Sequence, residues 1–231
     1  MADYSTQPTN LKRLIAPVLF LAGVVVFFGF PFAPGEKVDF WFQSFFWNGK
    51  AWLIPHGNPL GKIIAYDGPK ALLILFAVYL LVIILLPKCA PRWMNRRQAI
   101  YVFVSIALIS VTSTQIRAVT NMATPLELTR YGGTFPHLLL FQLKPVGYPC
   151  HAFPAGHASG GLALISLYWA WSNQPYRKLG LWIGLGLGGF MGLYQIARGE
   201  HFLSHTLATL GLAWLLSVLL ALAIKPTQTA A

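Results

Sequence analysis

The chain has 231 residues, 56% of them hydrophobic and only 10% charged, with a formal net charge of +11 and a mean hydropathy of +0.59. Such a composition excludes an ordinary soluble domain and marks an integral membrane protein. The basic excess does not point to nucleic acid as a partner: the Lys and Arg residues lie in short connections between apolar runs, where they set topology and meet lipid headgroups.

Residues 1–10 are polar, and Lys12-Arg13 precede an apolar run over 14–32 that is long enough to cross about 30 Å of hydrocarbon. The run is long for the core of a signal peptide and lacks a small-x-small cleavage site, so it is expected to be a retained anchor. Residues 33–69 crowd Trp41, Phe42, Phe45, Phe46, Trp47 and Trp52 around Lys50 and Lys62. That density suits a membrane-surface helix or lid, or aromatic packing against the bundle.

Further spans are expected over 71–86, stopped by Pro87, and over 98–115, with Lys88, Arg92, Arg96 and Arg97 between them. A polar connection at 117–153 has the length at which loops in compact folds are functional or disordered. Three more spans are expected, at 156–172, 179–196 and 203–224. The expected fold is an all-α bundle of six transmembrane helices in one membrane domain, residues 1–231.

Basic residues are retained in the cytoplasm, and the dense 88–97 and short 173–178 connections place that side. Both termini are then cytoplasmic, and residues 117–155 and 197–203 lie outside. Cys89 and Cys150 fall on opposite sides of the membrane, which excludes a disulfide between them.

Two polar clusters stand out against this apolar background. Cys150 to Gly161 (CHAFPAGHASGG) reads as a turn that opens a helix, where free N–H groups and the helix dipole favour an anion. Arg198 to His205 (RGEHFLSH) precedes another apolar run. On one face of a bundle these loops can bring His157 and His201 together, with Arg117, Arg130 and Arg198 at hand. Arginine binds phosphate bidentately and histidine serves as nucleophile or proton donor, a set suited to phosphoryl transfer without a metal or other cofactor. His201 and His205 have a metal-ligand spacing, but HFLSH lacks the glutamate of a zinc protease. His56, His137 and His151 read as loop residues, and Glu127 and Glu200 as partners for nearby arginines.

Over residues 117–209 the chain resembles the type 2 phosphatidic acid phosphatase (PAP2) superfamily, whose pattern is K-x6-R-P, then P-S-G-H, then S-R-x5-H-x3-D. Pro154-Ala155-Gly156-His157 matches the second motif with alanine for serine, and His201 takes the place of the third motif's histidine. His205 stands where the aspartate is expected, and Gln195 where the arginine belongs. Arg117 and Thr124-Pro125 keep the spacing of the first motif with both basic positions changed. Arg198, one helical step beyond Gln195, could replace the missing arginine.

The resemblance implies a metal-independent lipid phosphatase of the bacterial inner membrane with a periplasmic site. In that reading His201 is the nucleophile, His157 the general acid and His205 the group that orients His201. Arg117, Arg130, Arg198, Gly156 and Ala155 hold the phosphate. The implied partners are the bilayer and a lipid phosphate or pyrophosphate. A lipid-to-lipid phosphotransferase and a non-catalytic lipid-phosphate binder share that pattern. A haem protein would instead place its histidines at mid-membrane.

Overall fold

The computed structural model describes residues 11–120, 122–148 and 151–227. Residues 1–10 and Cys150, and with it the disulfide argument, lie outside them. The described residues form the helices α1 (Lys12–Gly29), α2 (Gly35–Gln43), α3 (Pro59–Lys62), α4 (Gly68–Leu85), α5 (Arg96–Val119), α6 (Gly156–Ala163), α7 (Leu167–Ala170), α8 (Gln174–Ala197) and α9 (Leu203–Ile224). A π-helical turn, Ile63–Asp67, joins α3 to α4.

Local chemistry explains several boundaries. Asn95 and Gln98 form a reciprocal capping box at the start of α5, with bonds of 2.9 and 2.8 Å. Asn58 accepts the Gly61 N–H at 3.0 Å, and Pro59 occupies a position where no N–H is needed. The start of α9 is capped from far away in sequence: Asp39 on α2 accepts the Ser204 N–H at 2.9 Å.

Five rods are long and apolar enough to cross a membrane: α1, Pro59–Leu85, α5, α8 and α9. Their outer faces expose large apolar side chains such as Leu19, Leu72, Leu75 and Trp182. The chain is a multi-pass membrane protein. The crossing expected at 156–172 takes a different form. It is α6, a 3₁₀ turn at Leu164–Ser166, and α7, ending at Ala170. At 1.5 Å per residue it is roughly 22 Å long, short of a bilayer core.

The reason lies in α8. Gly180, Gly184 and Gly188 form a stripe at four-residue spacing against which this broken segment packs backbone to backbone. A Cβ on Gly184 would fall 2.3 Å from the Ile165 nitrogen, and one on Gly188 2.5 Å from the Leu162 nitrogen. The segment is therefore enclosed by α5, α8 and α9, and Ala158, Leu162, Ala163 and Ile165 join Ile109 and Ala213 in the core.

The helix directions separate two ends. At one end lies the basic 86–95 connection, where Arg97 donates to the Ile224 carbonyl and Gln98 to that of Ala170. At the other lie α2, the connection from α5 to α6, and the turn between α8 and α9. That connection folds over the bundle end, burying Trp52, Leu128, Tyr131, Tyr148 and Phe202 together. The aromatic 33–69 segment divides its roles, since Trp52 is buried while Trp41 and Phe45 are exposed.

Candidate active site

The start of α6, the end of α5 and the turn before α9 converge at this second end. His157, on the first turn of α6, places its Nδ1 3.2 Å from Nε2 of His201. His201 Nδ1 in turn lies 3.4 Å from Nδ1 of His205 on α9. Three imidazoles thus form a row running inward, and His201 and His205 are almost wholly buried. Burial and the neighbouring imidazoles hold the His201 ring well below its ordinary pKa range. It is neutral at physiological pH, with a lone pair on one nitrogen.

Arg117, on the last turn of α5, lies against the start of α6: a Cβ on Gly156 would sit 3.5 Å from its Nη1. Its guanidinium makes no hydrogen bond or ion pair among the described residues. Burial first, and then the positive charges of Arg117, Arg198 and Lys70, push the His157 ring down to about 4; the negative charge of a bound phosphate would act in the opposite direction and favour its protonated form. Arg198 caps the end of α8, where His56 clamps it. His56 Nε2 donates to the Arg198 carbonyl at 3.0 Å, and its Nδ1 accepts from the guanidinium at 3.1 Å. The Arg198 Nε is buried and makes no hydrogen bond among the described residues. Gly199 follows at φ +76°, and a Cβ there would collide with Trp52 at 2.4 Å, so this turn requires glycine.

His157 forms one wall of a cleft of about 400 Å³ between α4 and α5. Tyr66, Lys70, Arg117 and Gly156 line its charged end, while Leu73, Ile74, Ala77, Ile106 and Met191 make the rest largely apolar, with the hydroxyls of Ser110, Thr114 and Ser159 among them. The Tyr66 ring lies 5.3 Å from that of His157. A cationic mouth with an apolar trough matches the two parts of a phosphorylated lipid.

Other expected residues lie elsewhere. Arg130 is exposed on the connecting loop, its guanidinium 4.4 Å from the Phe40 ring centroid. Ala155 is occupied in tying α6 to α9, since its N–H donates to the His205 carbonyl and its carbonyl accepts from Thr209. Thr124, at the basic position of the first motif, forms a capping box with Glu127. Gln195, at the arginine position of the third, is buried and accepts weakly from Arg198 at 3.5 Å.

Sequence reasoning missed Tyr66, Lys70, His56 and the acids of α2. Tyr66 and Lys70 share a face at four-residue spacing, a signal that was present but reads equally as a flanking interfacial pair. His137, read as a loop residue, is largely buried and bonds Glu36 through Nδ1 at 2.7 Å. Burial of the Asp39 carboxyl pushes it up to about 7. Its contribution to stability is present below the ordinary carboxylate range and is lost as pH rises through about 7.

A family model described as the PAP2 superfamily matches residues 98–228. No curated protein matches the chain. Among solved structures, the chain is similar to the crystal structure of a transmembrane PAP2 type phosphatidylglycerolphosphate phosphatase from Bacillus subtilis. The likeness has a TM-score of 0.57 at 13% identity and covers 94% of this chain and 98% of that one.

Proposed function

The chain belongs to the PAP2 superfamily, and from that membership we propose that it removes phosphate from a lipid phosphate or pyrophosphate at the periplasmic face of the bacterial inner membrane. The observation that carries this reading is the cleft in which Lys70, Arg117 and His157 meet at one end of an apolar trough. Nε2 of His201 attacks phosphorus, the bond from phosphorus to the lipid oxygen breaks, and His157 gives that oxygen a proton. Water then attacks the phosphohistidine, passing a proton back to His157 and releasing inorganic phosphate. Arg117 and Lys70, with Arg198 behind His157, balance the negative charge on the phosphoryl oxygens.

In-line attack needs phosphorus between the two imidazoles, about 3 Å from the attacking nitrogen. The 3.2 Å contact between His157 and His201 must therefore open on binding. His157 lines the cleft, and a turn of its ring into that space would make the room the phosphoryl group needs.

Purified chain in lipid bilayers, given glycerolipid, isoprenoid and lipid A phosphates beside a water-soluble phosphomonoester, should release phosphate from a lipid and prefer it over the soluble ester. Chelator should leave the rate unchanged. No release from any lipid, or loss to chelator with rescue by zinc, would refute the reading. For the orientation, reporter fusions at Arg92 and Lys144 should report opposite compartments, and a periplasmic signal at Arg92 would reverse it.

A further inference from the structure

Behind the row of imidazoles sits a second group, two acids and a histidine, that this chemistry leaves unused. Two Nδ1 atoms facing each other at 3.4 Å can share only one proton. For His201 to attack through Nε2 its proton must be on Nδ1, so His205 must accept at Nδ1 and carry its own proton on Nε2. That Nε2 is buried and has no hydrogen-bond partner among the described residues. The Ala152 carbonyl acts on both the His201 and the His205 ring, but it completes no well-formed hydrogen bond with this Nε2. An unpaired buried N–H is costly, and left so it would favour the opposite tautomer, in which His201 has no lone pair to attack with.

His205 also lines a small pocket of about 20 Å³, whose other polar walls are Glu36, Asp39, His137 and Ser204. That volume suits one water. Glu36 is engaged with His137 at 2.7 Å. His137 offers the cavity a neutral lone pair at most. Asp39, only 5% exposed, uses Oδ1 to cap Ser204, and its carboxyl group, when ionised, is the stronger acceptor.

We propose that Asp39 is a positioning residue for the nucleophile: through one water in this cavity it accepts the hydrogen bond of the His205 Nε2–H, which holds that proton on His205 Nε2 and so keeps His201 protonated on Nδ1 and free to attack through Nε2. The proposal rests on the phosphatase reading above. It gives a physical sense to histidine at 205, which passes the demand for an acid one group deeper. The acid then comes from α2, outside the family-matched residues 98–228.

The test is solid-state NMR of the full chain in lipid bilayers with ¹⁵N-labelled histidine, the two signals assigned by their loss in His201→Gln and His205→Gln. The wild type should show His201 protonated on Nδ1 and His205 on Nε2. Asp39→Asn keeps an oxygen to cap Ser204 but presents an N–H to the cavity. Both tautomers should invert, and kcat should fall about thirtyfold with KM nearly unchanged, as for loss of an outer-shell partner of a working histidine. His137→Gln should leave the tautomers in place.

Tautomers that ignore Asp39→Asn, or that invert with His137→Gln instead, overturn the inference. Should Asp39→Asn fail to fold, a wild-type His205 protonated on Nδ1 overturns it alone. A chain with Asp39-dependent tautomers and no phosphate release from any lipid refutes the phosphatase reading but not the link to Asp39.

Discussion

His201→Ala should lower phosphate release by at least about a thousandfold, the scale of losing a covalent nucleophile, and no phosphoenzyme should be trapped. The argument is geometric as well as chemical. His201 is held between His157 at 3.2 Å and His205 at 3.4 Å, so its ring orientation is set on both edges. Burial keeps it neutral and therefore nucleophilic. Alanine removes the nitrogen and leaves His157 without a partner, and water in the gap cannot form the covalent intermediate. Rapid-quench detection of an acid-labile phosphohistidine in wild type and its absence in the variant is the measurement. A fully active His201→Ala protein would refute the assignment.

The second large effect is expected at His157. His157→Ala should slow formation of the phosphoenzyme by about a hundredfold or more for an alkyl leaving group, in the range of general acid catalysis. For an ester whose leaving group needs no proton, the loss should be far smaller. That contrast separates proton donation from mere shape, since a collapsed cleft would slow both esters alike. Equal losses for both would remove His157 from the role of acid. Vanadate, which takes the five-coordinate geometry of the transferring phosphoryl group, should inhibit the wild type.

The positions of the long helices were readable because apolar runs and their basic or proline stops are local signals. The last run, expected at 203–224, is α9 itself, and 98–115 lies within α5. The pairing of His157 with His201 was also readable, because each sits at a loop-to-helix junction in a motif of recognisable spacing. The broken form of 156–170 was not, although its cause, the glycines of α8 at four-residue spacing, stands in the sequence. Hydropathy counts apolar length and does not tell a helix facing lipid from one enclosed by others.

What the amino-acid sequence determined by itself is therefore what depends on neighbours along the chain: the membrane class, the approximate positions of the long helices, and the residue types able to move a phosphoryl group. What only the tertiary structure decided is which of those residues share a space. It left Arg130 on Phe40, used Ala155 to tie two helices, and brought in Lys70, Tyr66 and His56. It also set Asp39 beside a helix start 165 positions away. Contacts of that separation arise when helices close on one another, and in the linear sequence a buried acid on α2 has the same pattern as a solvated one.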